Sequence, residues 1–491
     1  MGAELAVQHV VVIGAGMAGL AAAEAVLDES GGPRRVTILE PTGRPGGVLA
    51  TVREGGWLVE RSADCFLAAR PEALDLARRL DLGDELVGVS PLVRRALVWH
   101  AGRAIPAPAG FRLLAPGSVA GILATPLLSP AGRVRVLLER VVRPRRAEGD
   151  ESLESFAVRR LGREAFERLV QPLAAGIWTA DPARLSMAAA CPEFRAMERE
   201  CGSLWAGERR RLVQGRPAKG TQPGATGARY GQFLTLSSGM ETLPVRLADR
   251  LRDRGVEFRA ALATGLGRQA SGGWTVAVRP AGAAGVEELA ADAVILAVPA
   301  PAAARLLAEV DRSLAAELAG IDYAGSAVVS LGFSRAGIAH PLDAAGMVVP
   351  RAAGRRILAV SFSSSKFPDR APEGCALVRV FVGGALDPAA MRLDDGELEQ
   401  LARDEIAALL GIRGRPLLAR VDRWDGAMPQ YHLGHVDRVD RIDRAAAALP
   451  GLALAGAAYR GVGIPQVIAS GQAAARRILR AWRPDGASRR A

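Results

Sequence analysis

One stretch near the N-terminus constrains the fold more than any other. His9-Val10-Val11-Val12-Ile13 is a short apolar run that enters Gly14-Ala15-Gly16-Met17-Ala18-Gly19, and Leu20 to Leu27 then follows a helical pattern. An uninterrupted apolar strand of this kind is buried on both faces, as in a parallel sheet. Val36-Thr37-Ile38-Leu39 predicts the next strand and ends at Glu40. Three glycines at this spacing meet the needs of a pyrophosphate site. Gly14 allows the tight turn, Gly16 lets backbone approach phosphate, and Gly19 lets the helix pack on the strand. Ala15, Met17 and Ala18 complete the loop at the positive end of the helix. Glu40 is placed to accept hydrogen bonds from a ribose.

Two further glycine clusters narrow the ligand. Gly43-Arg44-Pro45-Gly46-Gly47 follows the acidic residue directly. It resembles the second fingerprint of FAD enzymes in the glutathione-reductase and amine-oxidase lineage. In that reading Arg44 reaches phosphate, while Gly46 and Gly47 let the loop pass close to the ribityl chain. The expected cofactor is FAD. Near the other end, Gly456-Ala457-Ala458-Tyr459-Arg460-Gly461-Val462-Gly463-Ile464-Pro465 runs into another helical pattern. Backbone N–H groups from Gly456 and from Val462 to Ile464 are placed to face a flavin pyrimidine ring, where negative charge develops on reduction.

At 491 residues the chain has length for several packed units. The expected fold class is α/β: a Rossmann-like FAD-binding domain, discontinuous over 1–88, 233–305 and 445–482, with an inserted α+β substrate domain over 306–444. A mainly helical domain is expected over 89–206. Residues 207–232, rich in Gly, Pro and Arg, predict a mobile loop, and 483–491 a disordered tail. No apolar run reaches the ~18–20 residues of a spanning helix. Met1 to His9 lacks the basic region of a signal peptide, so a cytoplasmic location is expected.

The net charge of +11 does not mark a nucleic-acid binder. Only Lys219 and Lys366 are lysines, and the arginines are scattered among 52 acidic residues without interleaved aromatics. Cys65, Cys191, Cys201 and Cys375 lack CxxC spacing and read as reduced thiols. No metal site is expected. The five histidines form no HExxH, and His432 and His435 read as solvated loop residues.

Several stretches together resemble the flavin-dependent protoporphyrinogen/coproporphyrinogen oxidases, from near residue 10 to about 480. They are Glu60-Arg61-Ser62-Ala63-Asp64-Cys65-Phe66-Leu67, Gly176-Ile177-Trp178-Thr179-Ala180-Asp181-Pro182, Ser363-Ser364-Ser365-Lys366-Phe367-Pro368, Ala427-Met428-Pro429-Gln430-Tyr431 and Ala458-Tyr459-Arg460-Gly461-Val462-Gly463. The chain departs from the family at Ser62-Ala63, where Gly-Pro is usual, and at Ala457, where Asn is frequent. The resemblance implies that Ser62, Ala63, Asp64, Cys65, Leu262 and Trp424 also line FAD, with Leu262 meeting the adenine through its backbone. It implies an oxidase that converts protoporphyrinogen IX to protoporphyrin IX in haem biosynthesis, with coproporphyrinogen III to coproporphyrin III as the alternative and molecular oxygen as acceptor. The chemistry belongs to the flavin, so no catalytic side chain is expected.

A tetrapyrrole with carboxylate arms needs an apolar slot and a cation at its edge. By resemblance Arg95 would pair with a propionate. Leu331, Phe333, Met347, Val348 and Phe381 are the expected slot residues on strands of the second sheet. Val134 to Val142 with its flanking arginines suggests a peripheral contact with anionic lipid on the inner face of a cell membrane. A homodimer is a further open expectation. The competing readings are an amine oxidase or carotenoid desaturase on the same fold, and a flavin-free carrier like the Rab GDP-dissociation inhibitors.

Overall fold

The computed structural model describes residues 8–29, 32–214, 233–270 and 272–482. Its organising element is a five-stranded parallel sheet in the order Glu257–Arg259, Arg34–Leu39, Gln8–Ile13, Ala293–Leu296, Leu452–Leu454. The apolar run of the first strand divides between two cores, as strand alternation requires. Val10 and Val12 face helices Met17–Glu29, Thr242–Asp253 and Ile464–Trp482. Val11 and Ile13 face the antiparallel strands between 261 and 291 and the helices beyond them. Helices Met17–Glu29 and Ile464–Trp482 cross so closely that a Cβ on Gly471 would overlap the Ala18 carbonyl.

A seven-stranded sheet forms the second layer. Its order is Leu418–Pro429, Tyr323–Ser334, Cys375–Gly383, Ile357–Phe362, Gly346–Val348, Ala96–His100, Arg103–Pro106. One face packs on helix Asp395–Leu410. Part of the other face packs on short helices between 119 and 213.

Two segments differ from expectation. Residues 96–106, placed with the helical region, instead extend the seven-stranded sheet, because Ala96 to Val98 pair with Gly346 to Val348. Residues 207–213 are not loop: they complete helix Leu204–Val213, whose N-cap Ser203 accepts a hydrogen bond from Ala206 N–H. Buried Glu208 holds that helix through Arg112 and Arg211. The remainder of the expected loop, 215–232, and the expected tail, 483–491, lie outside the described residues.

Candidate cofactor site and active site

Gly14 N–H donates to the Leu39 carbonyl at 2.8 Å, which joins the first turn to the end of the second strand. At Gly14, with φ +104°, a Cβ would lie 2.6 Å from the Ala297 carbonyl oxygen. A Cβ on Gly19 would overlap the Gly14 carbonyl. Gly16 is different: a Cβ there would meet nothing within 4 Å. Two glycines are thus required by packing, and the middle one borders open space.

The Gly46-Gly47 loop lies directly against this turn. Gly46 N–H donates to the Ala15 carbonyl at 2.8 Å, and a Cβ on Gly47 would approach Gly16 Cα to 3.3 Å. Arg44 holds the loop by donating to the carbonyls of Gly47 and Leu49 and to Glu241. Its guanidinium is therefore engaged with the loop itself. Glu40 accepts from Ala15 N–H at 3.2 Å and from the Thr42 hydroxyl at 2.8 Å, which fixes its carboxylate beside the glycine turn. Leu262 is half exposed on the strand next to this edge, since Glu40 N–H bonds the Arg259 carbonyl just upstream.

Helix Ile464–Trp482 crosses the start of helix Met17–Glu29 at Gly471, and both helices cover one face of the parallel sheet. Gly456 N–H donates to Ser470 Oγ at 3.0 Å, and a Cβ on Gly456 would meet nothing within 4 Å. Val462 and Gly463 are partly exposed and Ile464 is buried. Trp424 Nε1 donates to the Arg61 carbonyl, which places the ring next to the Ser62–Cys65 segment.

That segment joins the two sheets. The Ser62 carbonyl accepts from Arg379, and Asp64 accepts two hydrogen bonds from Lys366 Nζ at 3.0 Å each. Arg379 Nη1 lies 3.5 Å from Asp64. Burial would raise Asp64, but the Lys366 ammonium and Arg379 guanidinium hold it well below the usual carboxylate range. Burial first, and then the Asp64 charge, push the Cys65 thiol up to about 12, so it is not a thiolate nucleophile. Ala63 lies between these anchors and carries no side-chain polar group.

Sheet register sorts the expected slot residues. Val348, Ala359, Phe381, Val328 and Asp422 are cross-strand partners on one face, and Arg379 shares that face through Ser330 and Ser361. Val348 and Phe381 thus sit on the side that meets Ser62–Asp64. Leu331, Phe333 and Met347 do not: they belong to the core beneath helix Asp395–Leu410. Their expected role in the slot is corrected, because strand alternation turns them to the opposite face. Arg95 is corrected too. It precedes Ala96, donates to both the backbone carbonyl and the carboxylate of Asp343, and lies on the Leu97 side of the sheet beside His340.

His435 is also not a solvated loop residue. It is 4% exposed, stacks on Tyr431 with ring centroids 4.1 Å apart, and bonds the Tyr459 carbonyl through Nε2. Sequence reading missed the roles of Arg379, Tyr431 and His435. A charged residue inside the apolar strand Ala376 to Val382 was the available signal for Arg379. Among the described residues, no group of three or more His, Cys, Asp or Glu side chains is arranged to hold a metal.

The model of the flavin-containing amine oxidoreductases matches residues 17–479. The chain belongs to the flavin-containing amine oxidoreductase family. This flavin oxidoreductase is 33% identical over 471 residues to the coproporphyrinogen III oxidase of Bacillus subtilis strain 168, covering 95% of this chain and 97% of that one. It is 29% identical to protoporphyrinogen oxidase 1 of Arabidopsis thaliana chloroplasts, over 87% of this chain and 79% of that one. Among solved structures, a candidate protoporphyrinogen oxidase from Exiguobacterium sp. 255-15 superposes with a TM-score of 0.82 at 29% identity, covering 96% and 98% of the two chains. The suspected porphyrinogen-oxidase kinship therefore holds. The cofactor is FAD, and the residues present fit it: open space at Gly16 and Gly456, a fixed acid at Glu40, and two helices on one face of the sheet.

Proposed function

We propose that the chain oxidises a porphyrinogen to the corresponding porphyrin in haem biosynthesis, with molecular oxygen as the final acceptor. One observation carries the reading. The Ser62–Cys65 segment of the cofactor site is bonded to Arg379 on the same sheet face as Val348 and Phe381. An apolar wall thus adjoins the redox site, which suits a flat macrocycle, and Arg379 anchors the Ser62–Asp64 segment to that wall.

The chemistry FAD supplies when bound is acceptance of two electrons at a time from the ring and their delivery to oxygen, giving peroxide. The chain's own residues bind, orient and exclude water. Phe381 and Val348 supply the apolar wall, and Glu40 with the glycine turn fixes the dinucleotide end. Lys366 is committed to Asp64, so it is not presented as the free lysine of amine oxidases.

Coproporphyrinogen III is the substrate we place first. The more similar relatives carry that name, and Arg95, the expected propionate partner in protoporphyrinogen-type members, is tied to Asp343. Protoporphyrinogen IX, the first expectation from sequence, is the second reading, supported by the chloroplast relatives. Aerobic assays of the FAD-loaded protein with each porphyrinogen, read by porphyrin fluorescence and peroxide, test both. No porphyrin from either substrate overturns the proposal.

A peripheral lipid contact is a separate part of the proposal. Val134, Leu138 and Val141 repeat at i, i+4 and i+7 and are 53%, 50% and 75% exposed, with Leu123 of the adjoining helix 50% exposed. Arg133, Arg140 and Arg143 flank the stripe. Exposed apolar side chains rimmed by cations suit an anionic membrane surface. No helix among the described residues is long and apolar enough to cross a membrane.

A further inference from the structure

The segment between Gly456 and helix Ile464–Trp482 is held at alternate residues from outside. Tyr431 Oη donates to the Ala457 carbonyl at 2.5 Å and accepts from Gly461 N–H at 2.8 Å. Between those points, His435 Nε2 bonds the Tyr459 carbonyl at 2.9 Å. A carbonyl only accepts, so His435 carries its proton on Nε2. The two rings stack at 17°, so the phenol and imidazole act as one block. Three backbone groups at 457, 459 and 461 are thereby fixed by two side chains from a single stretch of chain.

The held backbone passes through a conformation that only glycine allows. Gly461 has φ +141°, and a Cβ there would lie 2.6 Å from Gln466 Cγ. Glycine takes this shape without strain and is equally free to leave it, so contacts from outside the segment are what select it. Tyr431 is 2% exposed and His435 4%, so water does not substitute for either. Burial also favours the uncharged phenol, which alone can donate to Ala457 while accepting from Gly461.

We infer that Tyr431 and His435 are positioning residues for the flavin: together they set the shape of residues 457–461, and through it the aim of the Val462–Ile464 N–H groups. Both act through the backbone that they bond. The inference rests on the FAD reading of the Gly456–Ile464 segment and adds the residues that shape it. Their effect should therefore appear in cofactor affinity and spectrum ahead of global stability.

The test measures FAD dissociation by flavin fluorescence, the visible spectrum of the bound flavin, its midpoint potential and thermal stability. Variants are Tyr431→Phe, His435→Ala, His435→Gln and, as a control, Ser203→Ala, which removes one helix-capping hydrogen bond in the helical layer. Expected are an FAD Kd raised about tenfold in Tyr431→Phe and His435→Ala, with a shifted flavin band and potential. His435→Gln, whose amide can donate to Tyr459, should restore most of the affinity. Ser203→Ala should lower the melting temperature with Kd unchanged. If Tyr431→Phe and His435→Ala bind FAD with wild-type Kd, spectrum and potential, the positioning role is wrong. If His435→Gln is no better than His435→Ala, the hydrogen bond to Tyr459 is not the means. If wild-type protein itself binds no FAD, the cofactor reading fails instead. Should Tyr431→Phe not fold, the contrast between His435→Ala and His435→Gln still decides.

Discussion

Asp64 and Lys366 lie 302 positions apart, yet both carboxylate oxygens of Asp64 accept from the Lys366 ammonium at 3.0 Å. Their side chains are 14% and 8% exposed, so the pair is largely withdrawn from water. It pins the Ser62–Cys65 segment to the short helix Ser363–Lys366 between two strands of the larger sheet. Lys366→Met should leave a buried carboxylate with Arg379 as its one remaining ion-pair partner among the described residues and cost roughly 3 kcal/mol in denaturant unfolding. Asp64 has a lowered folded pKa, so its contribution is fully present above the ordinary carboxylate range and is lost as pH falls from there through the lowered folded value. The gap between wild type and variant should therefore narrow below about pH 4. A gap that is constant with pH would show that Asp64 is not held by Lys366.

Gly16 and Gly19 should fail in different ways. Gly19→Ala drives a methyl into the Gly14 carbonyl, so the protein should lose folded yield. Gly16→Val projects into open space, so the apoprotein should fold while FAD retention is abolished. Circular dichroism and flavin content of the two variants separate these outcomes. Normal flavin content in Gly16→Val would remove the phosphate from that spot.

Arg95→Ala should change KM for either porphyrinogen by no more than about twofold, since its partner is Asp343 and half-exposed pairs of this kind contribute little. A large rise in KM with unchanged flavin content would return Arg95 to the substrate site.

His435 gives a stability slope with a defined sign. Burial first, then the charges of Arg438, His432 and Arg460, push its pKa down to about 4 from an ordinary 6.5. The unfolded chain therefore takes up a proton that the folded chain refuses. Stability should fall between pH 6.5 and about 4, at about 1.4 kcal/mol per pH unit from this group. His435→Gln should flatten that slope in urea titrations across the window. Parallel slopes would mean that His435 titrates normally.

Leu138→Glu and Val141→Glu place charge on the exposed stripe and should weaken co-sedimentation with anionic liposomes several-fold, leaving the melting temperature nearly unchanged. Equal sedimentation of wild type and variants would eliminate the lipid contact.

The chain alone determined the dinucleotide unit and its cofactor. Glycine spacing, apolar strands and the Arg44-Pro45-Gly46-Gly47 run are local signals, because the backbone must turn and approach phosphate within a few residues. Tertiary structure decided which side of the larger sheet each residue serves. Leu331 and Phe381 are both apolar strand residues, and nothing local distinguishes them when both faces are covered. It also decided the partners of Lys366, Arg95 and His435, since hydrogen bonds and ion pairs between segments apart in the chain follow from packing and leave no periodic trace in the sequence.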